Sequence, residues 1–373
     1  MNDRLMMTRA LHLASRGAGQ VAPNPMVGCV IAKDGKILAE GWHKKYGGPH
    51  AEREALAAAG DQDLRGATCF VTLEPCSHTG KTPPCTEALI AAGISRVVIA
   101  TRDPNPVAKG GAEILLEAGL KVDIGLMRTE AEKLNEAFFY CLKTGLPLVR
   151  WKVAATADGC VAPAPDSQDR KISGTEADKW VQDLRHRVGA IMVGAGTVRK
   201  DDPRLTDRSG ISPAAPLLRV IVGHDGQALA GSQILKTARD LPTIFACAGP
   251  SSYLDKLDQA GIEVWHWPDQ ADVPLVDLCR RLSERGIDEI LLEGGAHLAA
   301  AMLKARLIHT FQLILAPKLL GQTALNQAIL QETGCTGPST AYQLIQPELA
   351  LLGDDVLYTA TLSYKEVDPC SPD

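Results

Sequence analysis

No stretch of the 373 residues approaches the roughly 20 consecutive apolar residues that crossing a bilayer requires. Membrane association is therefore not expected. Nor is there a run of Lys or Arg: 39 basic residues face 44 acidic ones, for a net charge of −5. A tight nucleic-acid binder carries a basic stripe to neutralise phosphates, so its absence favours a small-molecule substrate. The opening Met1-Asn2-Asp3-Arg4 enters a helical pattern and lacks the basic region, apolar core and cleavage site of a secretory leader. A cytoplasmic protein is expected. Internal repeats are missing as well. The apolar fraction of 45% and charged fraction of 22% are those of an ordinary soluble globular protein. The length exceeds one typical hydrophobic core, so two domains are expected.

Ten cysteines in a reducing compartment read as core residues or ligands rather than disulfides. Cys29 and Cys69 lie in apolar, strand-like runs and belong to a core. Cys76 and Cys85 lie among Pro, Gly, Ser and Lys and do not.

Helix and strand signals alternate along the first half. Leu5 to Ser15 has apolar residues at helical spacing, and Val27 to Ala32 is a short apolar run after Pro23-Asn24-Pro25. Lys33-Asp34-Gly35-Lys36 predicts a hairpin turn into Ile37 to Glu40. His50 to Ala59 predicts a helix stopped by Gly60. Ala67 to Leu73 and Arg96 to Thr101 read as buried strands around a helix at Thr86 to Ala92. Gly111 to Ala118 and Glu130 to Leu142 read as further helices. Lys143 to Pro147 marks the junction, and alternation then resumes. Strands are expected at Leu148 to Ala154, Ala190 to Val193, Leu218 to Val222, Thr243 to Ala246, Glu263 to Trp265, Glu289 to Leu292 and Phe311 to Ala316. Helices are expected at Thr175 to His186, Val276 to Arg285 and Ala296 to Ala305. Ala162 to Arg170 reads as a polar, Pro-containing loop. Both halves are α/β, and a mostly parallel sheet is expected in the second.

His50-Ala51-Glu52, Pro75-Cys76 and Cys85 carry the chemistry. A lone His-x-Glu arises often by chance, and a histidine at a helix start can serve only as a cap. The two cysteines change that reading. Cys76 follows an apolar strand, at the sheet edge where open α/β sheets place ligand sites. Cys85 begins a helix, whose positive dipole end favours a thiolate. One His and two Cys leave a fourth zinc position open for water, whose pKa zinc lowers to about 7, and Glu52 is then the group that moves protons. The alternative is a purely structural zinc knot. His78, two residues beyond Cys76, competes as a ligand or faces the substrate.

This pattern resembles that of the cytidine-deaminase-like superfamily, whose members mostly close the site with a short Cys-x-x-Cys. Here eight residues separate Cys76 from Cys85. The run Leu73-Glu74-Pro75-Cys76-Ser77-His78-Thr79-Gly80-Lys81-Thr82-Pro83-Pro84-Cys85 resembles the bifunctional riboflavin-biosynthesis deaminase/reductases. Pro23-Asn24-Pro25-Met26-Val27-Gly28, Gly41-Trp42-His43 and Asp103-Pro104-Asn105-Pro106 extend the match. The resemblance implies an N-terminal cytidine-deaminase-like α/β/α domain over 1–146 and a dihydrofolate-reductase-like α/β domain over 147–373. The first would deaminate a diamino-pyrimidinone ribosylamine phosphate with zinc. The second would use NADPH to reduce the ribose of the product to a ribityl chain. Asn24, His43, Lys81, Asp103 and Asn105 would surround the pyrimidine and its phosphate, although Asn24, Asp103 and Asn105 also suit turns beside prolines.

In the second half, Val193-Gly194-Ala195-Gly196-Thr197 has Arg199 where a dinucleotide fingerprint has its last glycine. Leu292-Glu293-Gly294-Gly295-Ala296-His297 is better placed, a strand running through two glycines into a helix whose free N–H groups can bind phosphate. An ordinary glycine turn is the alternative. Resemblance to the reductase domains implies substrate contacts from Lys152, Arg185, Leu205, Arg208 and Glu293, the arginines binding phosphate in bidentate fashion. It implies NADPH contacts from Ala155, Lys171, Thr197, Asp201, Gly295, Ala296, His297, Leu298 and Ala299. Asp201-Asp202-Pro203-Arg204-Leu205-Thr206 is the strongest stretch of that match. Four places depart from the family pattern: Thr156-Ala157-Asp158-Gly159, Cys160, Gly223-His224 and the loop before Ile172, which is one residue long. A homo-oligomer, a dimer first, is expected. The competing readings are a nucleoside or nucleic-acid deaminase with an unrelated second domain, a non-enzymatic zinc protein, and a deaminase whose reductase half is degenerate.

Overall fold

Asp34 and Gly35 both take positive φ, 51° and 80°. They turn the chain so tightly that Lys33 pairs with Lys36 in an antiparallel ladder. From this hairpin the N-terminal sheet is built. The computed structural model describes residues 2–77, 84–106, 110–163, 167, 169, 171–321, 329, 333, 335, 337–338 and 340–364. The chain divides into two compact units, Met1–Leu146 with Pro213–Ala215, and Pro147–Ser212 with Pro216–Asp373.

The first unit runs α1 (Asp3–Ser15), β1 (Gly28–Lys33), β2 (Lys36–Trp42), α2 (Ala51–Ala59), β3 (Thr68–Leu73), α3 (Cys85–Ala91), β4 (Arg96–Thr101), α4 (Gly111–Glu117), β5 (Lys121–Ile124), α5 (Arg128–Leu134) and α6 (Glu136–Thr144). Its five strands lie in the order β2-β1-β3-β4-β5, with β3, β4 and β5 parallel. The central strands are apolar without a break because both faces are covered. Cys29, Ile31, Cys69, Val71, Val97 and Ile99 pack under α2, α3 and α4. Their neighbours Val30, Ala32, Phe70, Val98 and Ala100 pack against Met7, Ala10 and Leu13 of α1 and Ala131 of α5. The result is an α/β/α layer structure.

The second unit runs β6 (Leu148–Thr156), α7 (Thr175–Arg187), β7 (Ala190–Gly194), α8 (Ala195–Asp201), β8 (Leu218–Gly223), α9 (Gln233–Lys236), β9 (Thr243–Ala248), α10 (Leu254–Gln259), β10 (Glu263–Trp267), α11 (Leu275–Glu284), β11 (Glu289–Glu293), α12 (Ala296–Lys304), β12 (Thr310–Ala316), β13 (Gln343–Leu352) and β14 (Asp355–Ser363). Nine strands form one sheet, β10-β9-β8-β7-β11-β6-β12-β14-β13. All neighbours are parallel up to β12, and β14 and β13 close one edge antiparallel.

Two expectations need correction. The helix over Glu130 to Leu142 is two helices, α5 and α6, broken at Asn135 (φ −111°, ψ 27°). Asn135 is buried, and its side chain accepts from the N–H of Met26 at 2.7 Å and donates to the Met26 carbonyl at 2.9 Å. The β13–β14 hairpin was not anticipated, nor were β5, α8, α9 and α10. No helix among the described residues is long and apolar enough to cross a membrane.

Candidate functional site

Gly41 of β2 lets the first turn of α2 press against the sheet. A Cβ there would stand 2.5 Å from the Ala51 carbonyl oxygen and 2.3 Å from the Ala55 nitrogen. His50 is the N-cap of α2, with extended backbone and no side-chain capping bond, so its ring is not serving the helix end. Cys76 lies just past the end of β3, and Cys85 opens α3. The His50 Nδ1 atom is 3.4 Å from the Sγ of Cys76 and 3.4 Å from the Sγ of Cys85. All three donor atoms lie within 4.8 Å of one another. Tetrahedral zinc with ordinary Zn–S and Zn–N bonds holds its ligands roughly 3.5 Å apart. The donor set and spacing therefore fit zinc, with three protein ligands and a fourth position free.

Glu52 follows on the inner face of α2 and is 2% exposed. Burial pushes its carboxyl up to about 7, against a hydrogen bond from its own backbone and the charge of His50. The Cys76 thiol is held well below the usual thiol range, chiefly by a hydrogen bond from Cys85. A second hydrogen bond from His50 and the backbone N–H of Cys85, 3.4 Å from the sulfur, oppose the cost of burying the thiolate. His43 is also buried, which lowers its pKa. Its Nδ1 meets the Pro49 carbonyl at 2.9 Å and its Nε2 meets Asn24 Nδ2 at 3.1 Å. Its ring stands edge-on to that of His50, 5.7 Å between centroids.

Asp103 and Asn105 follow the end of β4, the parallel neighbour of β3, so they share the sheet edge with Cys76. The Asn105 N–H donates to Asp103 Oδ1 at 2.8 Å, the turn chemistry expected beside prolines. Lys81 and His78 lie outside the described residues. Two residues that matter here were missed by sequence reasoning, Glu74 and Asn135. Glu74 stands inside the run Leu73 to Cys85 but was given no role there, Asn135 belongs to no quoted motif, and their buried hydrogen bonds reveal both.

In the second unit a cleft of about 1250 Å³ opens at the carboxyl ends of β7, β8 and β11, where α/β sheets bind ligands. Gly294 and Gly295 take φ of 70° and 79°, a conformation that suits glycine, and carry the chain from β11 into α12. The lining includes Lys152, Lys171, Thr197, Asp201 and Glu293, and continues along α12 through Gly295, Ala296, His297 and Leu298. Ala155 and Ala299 are buried and are not among the lining residues. Lys171 also pairs with Asp178 at 2.5 Å. Arg185 directs its fork to Glu293, 3.0 and 2.8 Å, with a third bond of 3.1 Å to the Thr206 carbonyl. That ion pair keeps Glu293 below the usual carboxylate range despite its burial. The bidentate partner of Arg185 in this structure is thus a carboxylate, not a phosphate. The side chain of Leu205 is packed into the core, and Arg208 is exposed, its N–H donating to Gln182.

Fold and site together define a bifunctional enzyme, a zinc-binding deaminase domain and a reductase domain in one chain. Residues 1–101 match the cytidine and deoxycytidylate deaminase zinc-binding region, and residues 147–355 match the RibD C-terminal domain. The riboflavin biosynthesis protein RibD of Actinobacillus pleuropneumoniae is 39% identical over 99% of this chain and 96% of its own length. That of Escherichia coli K12 is 38% identical over 95% and 98%. The solved structure of Acinetobacter baumannii RibD superposes with a TM-score of 0.83 at 37% identity, covering 97% of this chain and 99% of that one. A Thermotoga maritima structure, described as a diaminohydroxyphosphoribosylaminopyrimidine deaminase/5-amino-6-(5-phosphoribosylamino)uracil reductase, superposes with a TM-score of 0.81 at 33% identity, over 97% and 99%. The chain belongs to the RibD family of riboflavin biosynthesis proteins.

Proposed function

We propose that the first unit, residues 1–146, hydrolytically deaminates the diamino-pyrimidinone ribosylamine phosphate. We propose that residues 147–373 then reduce the ribosyl chain of the resulting aminouracil to the ribityl form with NADPH. The observation that carries the first step is the His50, Cys76 and Cys85 triangle with the buried Glu52 beside it. Zinc held by those three residues supplies Lewis-acid activation of water. Glu52, buried beside the three ligands, would take the water proton at its carboxylate and return it to the leaving amino group. His43, held by Pro49 and Asn24, and the loop carrying Asp103 and Asn105 orient the pyrimidine, with Lys81 reaching its phosphate.

For the second step, the Gly294-Gly295 turn and the start of α12 offer N–H groups to the cofactor phosphates. Ala155, Lys171, Thr197 and Asp201, with Gly295 to Ala299 along α12, complete that site. NADPH supplies the hydride when bound. Lys152, whose charge acts on Glu293, and the Arg185–Glu293 pair position the sugar. Leu205 contributes backbone and Arg208 a phosphate contact. The enzyme works in the cytoplasm as a homodimer, without nucleic acid or membrane.

Glu52→Gln tests the reading directly. Deamination should fall by about 10² to 10⁴-fold, the range for removing a general acid/base, while zinc content and reductase turnover persist. Wild-type deamination by zinc-loaded Glu52→Gln would contradict it.

A further inference from the structure

Glu74 is a buried carboxylate that neither holds the metal nor faces solvent. It comes directly after β3, two residues before Cys76, and its side chain is 1% exposed. Its two oxygens serve two different segments. Oε2 accepts the backbone N–H of Asp103 at 3.1 Å, and Oε1 accepts the backbone N–H of Ala112, in the first turn of α4, at 2.9 Å. The Arg102 guanidinium stands 3.8 Å from Oε1 and is drawn outward by Glu113 at 2.7 Å. The main chain repeats the connection, with the Glu74 N–H donating to the Thr101 carbonyl at 3.0 Å.

Around it the packing leaves no slack. A Cβ on Gly111 would lie 1.9 Å from the Pro75 carbonyl oxygen, so α4 begins in direct contact with the peptide that leads to Cys76. The Thr86 N–H, in α3, reaches the Cys76 carbonyl at 3.4 Å. Glu74 therefore stands where three things meet: the strand end carrying a metal ligand, the loop carrying Asp103 and Asn105, and the helix start that backs both. Two N–H groups aimed at one buried side chain need an acceptor on each side, and only a carboxylate offers two. A buried group of this kind is costly unless fully satisfied, and here it is satisfied by the segments it joins.

We propose that Glu74 is a positioning residue for deamination, fixing the Asp103–Asn105 loop relative to the metal centre so that the ring presents its amino group there. This rests on the proposed pyrimidine substrate. Glutamine at this position keeps the shape but turns an NH2 toward one of the two N–H groups, so that loop or helix loses its anchor while His50, Cys76 and Cys85 are untouched.

The test is Glu74→Gln in the full chain, with steady-state deamination and reduction of the pyrimidine ribosylamine phosphates measured alongside zinc content. The expected result is a deamination KM raised ten-fold or more, a smaller change in kcat, one zinc per chain, and unchanged reductase kinetics. Unaltered deamination KM overturns the proposal, and so does loss of zinc in step with loss of activity, which marks a role in holding the metal alone. If Glu74→Gln loses reductase activity too, the chain has not folded. Gly111→Ala then carries the test, because it displaces α4 from Pro75 and draws the Ala112 N–H off Glu74, with the same rise in KM expected and an unchanged KM contradicting the account. Wild-type enzyme in the same assay separates the premises. No turnover of the pyrimidine by wild type refutes the substrate assignment, whereas wild-type turnover matched by Glu74→Gln refutes the positioning role.

Discussion

Arg219 shows what a single side chain can be asked to do. It sits on β8, is 0% exposed, and among the described residues no carboxylate pairs with it. Its guanidinium instead donates to Thr243 Oγ1, Thr237 Oγ1 and the carbonyls of Arg204, Ile234 and Leu241, at 2.6 to 3.4 Å. Burial pulls its pKa down to about 10, still high enough to stay charged at neutral pH. Arg219→Met would leave those acceptors without their donor, so a loss of about 3 kcal/mol is expected, read as a shift in the urea midpoint of the second unit. An unchanged midpoint would contradict it. The arginine was not legible in the sequence, where Leu218-Arg219-Val220 is only a strand with one basic residue. The same holds for Glu74 and Asn135, whose importance lies in backbone groups far along the chain. The grouping of His50, Cys76 and Cys85 could be anticipated because metal-ligand chemistry restricts residue type whatever the surroundings.

Elements were readable where periodicity and stop signals were local. β1, β3 and β4 are apolar on both faces, and α2 ends at Gly60 as its sequence demands. The break between α5 and α6 was invisible because its cause, the Met26 backbone, is 109 positions away. β13 escaped for another reason: every described residue from Gln343 to Leu351 is exposed, and Gln346 takes a positive φ at a register shift, so no alternation survives. That edge strand leaves Leu349 and Leu351 at 72% and 75% exposure. Unpaired apolar edges recruit another strand, which supports the homodimer reading. Leu349→Lys with Leu351→Lys should shift the mass in light scattering from dimer to monomer. A wild-type monomer, or a variant that remains dimeric, would rule out this edge.

At the start of β12, His309 adds a pH response. Burial pushes it down to about 4, with Arg150 assisting, and its Nδ1 accepts the Val149 N–H at 3.2 Å. The unfolded chain, with His near 6.5, binds the extra proton first. The stabilising contribution is present above about pH 6.5 and is lost as pH falls toward 4, on the order of 2–3 kcal/mol in all. His309→Gln should flatten this part of the fall in melting temperature. Identical slopes for the two proteins would contradict the assignment.

At the scale of the whole molecule, each unit places its candidate site at the carboxyl ends of parallel strands. The first unit builds its centre from side chains of fixed type, which is why it could be read from spacing. The second lines its cleft with residues from many elements, Lys152, Lys171, Thr197, Asp201 and Glu293 beside the Gly294-Gly295 turn and the start of α12, and its departures from the family pattern include Thr156-Ala157, Cys160 and Gly223-His224. Thr156 Oγ1 still closes its turn onto Asp158 at 2.5 Å, so the first of these preserves a local hydrogen bond. The central claim is that one chain performs both steps in sequence. It is tested most directly by supplying the diamino-pyrimidinone ribosylamine phosphate to the zinc-loaded protein, with and without NADPH, and following the products by mass. The expected result is an increase of one mass unit without NADPH, as amino becomes oxo, and a further two mass units with it, as the ribosyl chain is reduced. Unchanged substrate without NADPH, or reduction that precedes deamination, would contradict it.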